Sequence, residues 1–163
     1  MSIEKVKAYL APLGREKDVL EFPVSSATVA LAAEALGVIP ARIAKTISFH
    51  GGEDGAILIV AAGDAKVDNK RFKAQFGFKP RMLSPEEALT YTGHAVGGVC
   101  PFAIERVDVA IWLDESLRRF DTVFPACGSS NSAIELTCAE LEQLSKASGW
   151  VDACKGWRDE EQE

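Results

Sequence analysis

Hydrophobic residues recur along the chain in two spacings, which predict a mixture of helices and strands. Apolar positions three to four residues apart predict an amphipathic helix over residues 1–13, ended by Gly14. Residues 43–49 alternate between apolar and polar, and a glycine-rich turn joins them to the unbroken apolar run 56–62. This pattern predicts a hairpin whose second strand is buried.

Residues that cap a first helical turn mark four further helices. The predicted capping residues are Thr28, Asp68, Ser84 and Thr137, and the last two open capping boxes. The helix after Thr137 is predicted to run to Ser148. Shorter extended segments are predicted over 19–24, 107–113, 122–126 and 132–136. Helices and strands do not alternate strictly, so the predicted fold class is α/β or α+β, with a mixed sheet or open barrel.

Composition indicates one soluble globular domain. The chain has 163 residues, of which 47% are hydrophobic and 26% charged. We expect this domain to span residues 1–155, followed by an acidic tail over 156–163. The apolar run 56–62 is too short to cross a bilayer, and the first residues lack a secretory signal. A cytoplasmic protein without a membrane partner is therefore expected.

Charge is unevenly distributed. The net charge is −6, which argues against a general nucleic-acid coat protein, but residues 66–81 contain six basic residues and one acidic residue. This segment either forms a solvated helix face or contacts phosphates. The candidate contacts are Lys66, Lys70, Arg71 and Lys73. The four cysteines form no C-x-x-C pair and the chain has two histidines, so no metal site is predicted.

The stretch Gly97-Gly98-Val99-Cys100-Pro101-Phe102 predicts a stiff loop with accessible backbone N–H groups. Glycine permits close approach of a ligand to the backbone, and proline fixes its own φ. Such a loop is either a tight turn between core elements or a site that stabilises negative charge on an acyl carbonyl or phosphate.

Lys45 is the second candidate for a functional residue. Period two places Lys45 on the same strand face as Ile43, Ile47 and Phe49, whereas Thr46 lies on the opposite face. Because an unpaired ammonium is costly to bury, Lys45 must extend to solvent, pair with an acid or border a polar cavity. In the last case it would recognise an anion.

Cys100 raises a third hypothesis, a thiol nucleophile. A nucleophilic cysteine needs a base or a positive environment, and the sequence alone does not place His94, six residues earlier, within reach. The segment 63–68 lies between a buried strand and a helix, where ligands often bind, although a turn and helix cap explain it equally well.

Taken in order, these motifs resemble the YbaK/prolyl-tRNA-synthetase-associated domain family over residues 20–150. The motifs that carry the resemblance are IAKTISF (43–49), GD and VD (63–68), YTG (91–93), GGVCPF (97–102), DESL (114–117), CG (127–128) and IEL (134–136). The resemblance implies a mixed sheet curved into a partial barrel with flanking helices. It also implies a freestanding domain that hydrolyses amino acids wrongly esterified to tRNA, without metal or organic cofactor.

The resemblance assigns roles to individual residues. Lys45 matches the hallmark active-site lysine, and the loop 97–101 matches the G-x-x-x-P motif whose backbone holds the aminoacyl ester. The expected catalytic residues are Lys45, Gly97, Gly98 and Val99. The expected substrate-binding residues are Thr46, Asp64, Cys100, Pro101, Phe102 and Gly128. In this family the position of Cys100 is often occupied by a small hydroxyl residue. Any role of that hydroxyl in the family therefore cannot be assigned to Cys100 in this chain.

The implied partner is the aminoacyl end of a tRNA, with prolyl-tRNA synthetase as a further partner. Small residues near the expected site (Cys100, Ala126 and Gly128) favour alanine, serine or cysteine as the amino acid, on tRNA-Pro. Two alternatives stay open: a non-catalytic module that binds tRNA or a synthetase, and a thiol-dependent hydrolase. The sequence does not specify the oligomeric state.

Overall fold

A computed structural model describes residues 2–158, with a five-stranded mixed sheet at its centre. The strands are β1 (Leu20–Glu21), β2 (Ile43–His50), β3 (Ala56–Ala62), β4 (Lys66–Val67), β5 (Val109–Asp114), β6 (Phe124–Pro125), β7 (Ser132–Ala133), β8 (Gly149–Val151) and β9 (Cys154–Lys155). The helices are α1 (Ser2–Leu10), α2 (Val29–Leu36), α3 (Asn69–Phe76), α4 (Pro85–Thr92) and α5 (Cys138–Ser145).

The central sheet has the strand order β6-β2-β3-β5-β8. β2 and β3 form the predicted antiparallel hairpin, in which Lys45 pairs with Ala61. The other three neighbouring pairs are parallel, so the predicted mixed sheet is confirmed. Every residue of β3 is buried, as its unbroken apolar sequence predicts. Within residues 2–158 the sheet ends at β6 and β8 and does not close into a barrel. β1 pairs with β7, and β4 pairs with β9.

The predicted capping residues begin four of the helices. The side chains of Thr28, Asp68, Ser84 and Thr137 each accept a hydrogen bond from a backbone N–H three residues later. These bonds satisfy donors that the first helical turn would otherwise leave unpaired. α5 ends at Ser145, three residues before its predicted end, because Lys146 adopts a left-handed conformation with φ 55°.

Helices cover both faces of the sheet. On one face, Val6 of α1 and Leu141 of α5 pack with Leu58 of β3 in the main core. On the other face, Phe72 of α3 packs against Phe49 of β2, with ring centroids 5.0 Å apart. Both faces of the central hairpin are therefore used, which explains why β3 contains no polar residue.

Element boundaries show where sequence prediction fails. The extended segments predicted over 122–126 and 132–136 shorten to two-residue strands, and β4, β8 and β9 were not predicted. These strands are too short to show a periodic pattern, and their pairing partners are distant in sequence. Of the predicted acidic tail, residues 159–163 lie outside the described residues. Across residues 2–158, no helix has both the length and the hydropathy to cross a membrane.

Candidate functional site

Lys45 lies in a gap between two helices that cover one face of the sheet. Two residues before it, Ile43 packs in the cluster formed with α2, and four residues after it, Phe49 packs against Phe72 of α3. Lys45 is half-buried between these clusters. Its Nζ donates a hydrogen bond to the Gly63 carbonyl oxygen at 3.3 Å.

In the part of the chain that the structure describes, the Lys45 ammonium has no direct ionic partner. Asp64 is the nearest candidate in sequence, but both of its carboxylate oxygens accept from Arg119, at 2.6 and 2.9 Å. No carboxylate within residues 2–158 forms an ion pair with Lys45. Burial lowers the pKa of Lys45, the thiol of Cys154 and the carboxylate of Asp64 oppose this effect, and Lys66 adds to it. The surroundings therefore suit an anionic ligand.

A cavity of about 420 Å³ opens beside Lys45. Six alanines and six hydroxyl residues line its wall. The alanines are Ala27, Ala32, Ala44, Ala88, Ala126 and Ala133, and the hydroxyl residues are Ser26, Thr28, Thr46, Ser48, Ser84 and Ser132. Among the described residues, no carboxylate or imidazole lines this cavity. A reaction here would thus have no conventional side-chain base.

The glycine-rich loop forms the wall opposite the helices. Gly97 has φ 94°, a conformation that favours glycine, and Gly97 and Val99 line the cavity. The Gly98 N–H is already used, because it donates to the Ala95 carbonyl oxygen at 3.0 Å. The N–H groups of Gly97 and Val99 have no partner within residues 2–158. Two backbone donors therefore remain for a ligand.

Thr46 lies on the edge of β2 that faces away from β3, between the part paired with β6 and the part bonded to residues 81–83. On this edge His50 N–H donates to the Arg81 carbonyl and Leu83 N–H donates to the Ser48 carbonyl. Along a strand, the backbone N–H and C=O of every second residue point to the same edge, so those of Thr46 point to the same edge as those of Ser48 and His50. β6 pairs only with Ile43 and Ala44 and does not cover Thr46. The Thr46 hydroxyl is buried and has no partner in the described part of the chain. Thr46 thus lines the cavity with a backbone edge that β6 does not cover and with a hydroxyl that has no partner within residues 2–158.

Cys100 and His94 lie much closer together than the sequence alone indicates. Cys100 Sγ is 3.5 Å from His94 Nε2, and both side chains are fully buried. His94 Nε2 is also 2.8 Å from the Phe102 carbonyl oxygen, and Ser2 Oγ contacts His94 Nδ1. A carbonyl only accepts, so Nε2 carries the proton of the neutral ring and Nδ1 accepts from the Ser2 hydroxyl.

This arrangement does not activate the thiol. The nitrogen facing Cys100 already carries a proton, so it cannot serve as a base. Burial raises the pKa of Cys100 to about 12, although N–H groups of Phe102 and Gly128 oppose the effect. Burial also lowers the pKa of His94, which keeps the imidazole neutral. Cys100 does not line the cavity, so the geometry gives no support to a nucleophilic cysteine.

The remaining expected site residues lie around the cavity rather than in its wall. Pro101 and Phe102, the last two residues of the loop, are buried, and Gly128 packs against Gly98. Lys66 is exposed on β4 and borders an adjoining depression that Lys45 also lines. Of the basic residues on α3, Arg71 forms an ion pair with Asp152 at 3.0 Å. The structure thus brings together Lys45, Thr46, Gly97 and Val99 in one cavity wall.

Sequence reasoning missed several residues of this wall. Ser48 lies two positions after Thr46 on the same face of β2, so the period-two pattern could have found it. Ser132 and Met82 come from distant segments, and only the folded chain brings them to the cavity. Met82, with 65% of its surface exposed, stands at the cavity mouth.

The similarity to known proteins includes the residues of this site. Residues 24–144 match the family described as the aminoacyl-tRNA editing domain, and this range includes Lys45 and the whole glycine-rich loop. The uncharacterized protein YwhH of Bacillus subtilis (strain 168) is 57% identical over 157 residues, which cover 96% of this chain and 99% of that protein.

Two further similarities involve proteins with stated activities. EbsC of Enterococcus faecalis, named as a candidate Cys-tRNA(Pro)/Cys-tRNA(Cys) deacylase, is 29% identical over 114 residues, or 69% of each chain. The crystal structure of a candidate trans-editing enzyme for prolyl tRNA synthetase superposes with a TM-score of 0.84 at 30% identity. That similarity covers 95% of this chain and 98% of the other.

Proposed function

This chain belongs to the aminoacyl-tRNA editing domain family, and on that premise we propose that it hydrolyses the ester bond between a small amino acid and the 3′ end of a tRNA. The observation that carries the proposal is the cavity wall. Within residues 2–158, it combines a half-buried ammonium that lacks an ion pair with two backbone N–H donors that lack hydrogen-bond partners.

The wall provides both parts of an ester-binding site. The N–H groups of Gly97 and Val99 would donate to the ester carbonyl oxygen, and more strongly to the oxyanion that forms when this carbonyl is attacked. Lys45 would bind the phosphate next to the ribose, which fixes the ester relative to the loop. The Gly63 carbonyl would orient Lys45 through its hydrogen bond.

Hydrolysis then requires little side-chain chemistry. A water molecule, or a hydroxyl or thiol of the substrate itself, attacks the ester carbon. The bond from this carbon to the ribose oxygen breaks, and the ribose oxygen takes up the proton that the attacking group loses. When water attacks, its oxygen becomes part of the released amino acid; when the side-chain hydroxyl or thiol of the amino acid attacks, the amino acid leaves as a cyclic ester or thioester, which water then opens. An aminoacyl ester is already activated, so transition-state stabilisation by the loop and correct positioning supply the rate increase.

The cavity walls favour a small aminoacyl group. Six alanines line the space beside Lys45, so short side chains form much of the wall that an aminoacyl group would contact. Alanine, cysteine and serine are therefore the amino acids that we propose. The names of EbsC and of the similar crystal structure support tRNA-Pro as the carrier. They also support prolyl-tRNA synthetase as the enzyme whose errors this chain corrects.

A deacylation panel tests this proposal. tRNA-Pro charged with labelled alanine, cysteine or serine is incubated with the protein, and release of the amino acid is followed over time. Correctly charged prolyl-tRNA-Pro is the control substrate. We expect rapid release from at least one of the three mischarged species and much slower release of proline. Tight tRNA binding without release from any ester would instead support a non-catalytic binding module.

A further inference from the structure

A second depression, of about 400 Å³, continues from the ester cavity on the far side of Lys45. Both spaces are lined by Lys45, Ile47 and Met82, so they form one groove that Lys45 divides. The far part is bordered by Lys66 at the start of β4 and by Asn69 at the start of α3. Nothing in the hydrolysis described above uses these two side chains.

The far part of the groove combines an apolar floor with polar groups at one side. Ile47, Val67 and Met82 provide the floor, and the Asn69 amide supplies both donors and an acceptor. Among residues 2–158, no acidic side chain lines it. A flat apolar surface beside an amide suits a nucleobase, which has apolar faces and a polar edge.

Two lysines of the β4–β9 pair lie beside the polar side; Lys155 pairs with Asp68 at 3.7 Å, whereas Lys66 forms no ion pair within residues 2–158. Lys66 stands directly opposite Lys155 in the β4–β9 pair, and it also lowers the pKa of Lys45. Like charges at such positions repel each other. The nearby acids already have partners, since Asp64 is held by Arg119, and Asp68 caps α3 and pairs with Lys155. A phosphate placed between Lys45 and Lys66 would relieve this repulsion.

We infer that this far part is the subsite for the 3′-terminal nucleotide of the RNA, with the base on the apolar floor and its 5′ phosphate between Lys45 and Lys66. The inference rests on the proposed function, because the ester would then extend past Lys45 into the cavity. It adds Lys66 and Asn69 as residues that bind the nucleotide while making no contact with the reacting ester.

Binding of a single-stranded RNA that ends in CCA tests the subsite without any hydrolysis. We expect Lys66→Ala to weaken binding roughly fivefold, and to reduce the slope of log affinity against log salt by about 0.7, the value for one lost phosphate contact. Asn69→Asp should also weaken binding, because it adds a negative charge beside the phosphate. The fold should tolerate Asn69→Asp, since an acid in the first turn of a helix is favourable.

Lys17→Ala is the matched control. Lys17 is exposed and outside the groove, so this variant removes the same charge without touching the subsite. Equal affinities and equal salt slopes for Lys66→Ala and Lys17→Ala would overturn the inference, as would an Asn69→Asp variant that binds RNA like the parent.

A kinetic comparison separates this inference from the proposed function. The parent and Lys66→Ala are given alanyl esters of adenosine 5′-monophosphate and of ethanol. We expect Lys66→Ala to lose activity on the nucleotide ester alone, and equal losses on both esters would contradict the subsite. If the parent hydrolyses no ester while RNA binding still depends on Lys66, the proposed function fails and the nucleotide subsite stands.

Discussion

Gly98 and Gly128 pack backbone against backbone, and neither position leaves room for a side chain. A Cβ on Gly98 would lie 2.7 Å from the carbonyl carbon of Gly128 and 2.8 Å from the N atom of Ser129. These obstacles are main-chain atoms, which cannot rotate away as a side chain could. The contact fixes the loop that carries Gly97 and Val99, the two loop residues in the cavity wall after Val96.

Gly98→Ala should therefore displace the loop. We expect it to lower the free energy of unfolding by about 1–3 kcal/mol, as overpacking does, and to reduce deacylation even in folded protein because the two amide donors move. Urea unfolding and single-turnover deacylation measure the two effects. Gly14→Ala is the control, since Gly14 has positive φ but an added Cβ would meet nothing within 4 Å. Equal activity in the two folded variants would show that the loop position does not matter.

Cys100→Ala should leave deacylation nearly intact. The thiol is buried, faces a protonated nitrogen of His94 and does not line the cavity. We expect turnover within about a factor of three of the parent and a loss of stability of about 1 kcal/mol from the small cavity left behind. Complete loss of turnover in folded Cys100→Ala, with rapid inactivation of the parent by an alkylating reagent, would instead identify a thiol nucleophile.

Stability should fall on mild acidification because of His94. Burial lowers its pKa below the ordinary value, so the unfolded chain takes up a proton before the folded chain does. The stabilising contribution of His94 is complete above about pH 6.5, the ordinary histidine pKa, and decreases as the pH falls below it. The loss from this one group is at most about 1.4 kcal/mol per pH unit.

Urea unfolding at pH 7.5 and 5.5 measures this dependence. In the His94→Gln variant the difference between the two pH values should shrink, because the amide does not titrate and can still donate to the Phe102 carbonyl. An unchanged pH difference in this variant would assign the acid sensitivity to other groups.

Lys45→Met should separate stability from function. Burial lowers the Lys45 pKa, so the charged form is destabilised in the folded state at neutral pH. We expect the variant, which keeps a side chain of similar length, to be more stable by about 1 kcal/mol at pH 7, while deacylation is lost. Lys66→Met, at an exposed position, should change stability less. A less stable Lys45→Met would show that the bond to Gly63 holds the fold together.

Much of this fold could be predicted from sequence patterns that involve only neighbouring residues. Helix caps such as Thr28 and Asp68 and the alternation in β2 act over a few residues, so the sequence shows them directly. The end of α5 depends on the left-handed conformation of Lys146, and β8 exists because β5 offers a free edge. Such features depend on tertiary partners, which local patterns do not reveal.

The site, too, has features that the sequence shows and features that appear only in the folded chain. The position of Lys45 among apolar neighbours follows from period two, and the glycine-rich loop is visible as a sequence motif. The contact between Cys100 and His94 and the groove between Lys45 and Lys66 arise only when distant elements meet. The sequence also does not show which backbone N–H groups of the loop are available to a ligand. The Gly98 N–H donates to the Ala95 carbonyl, and this bond forms only in the folded turn.

The most direct test of the account is the deacylation rate of Lys45→Ala on the best mischarged tRNA-Pro, compared with Lys17→Ala. We predict that Lys45→Ala loses roughly 100-fold or more in single-turnover rate, because the ester is no longer held against the loop. Lys17→Ala should match the parent, and both variants should fold. A Lys45→Ala variant that deacylates as fast as Lys17→Ala would contradict the central role given to this lysine.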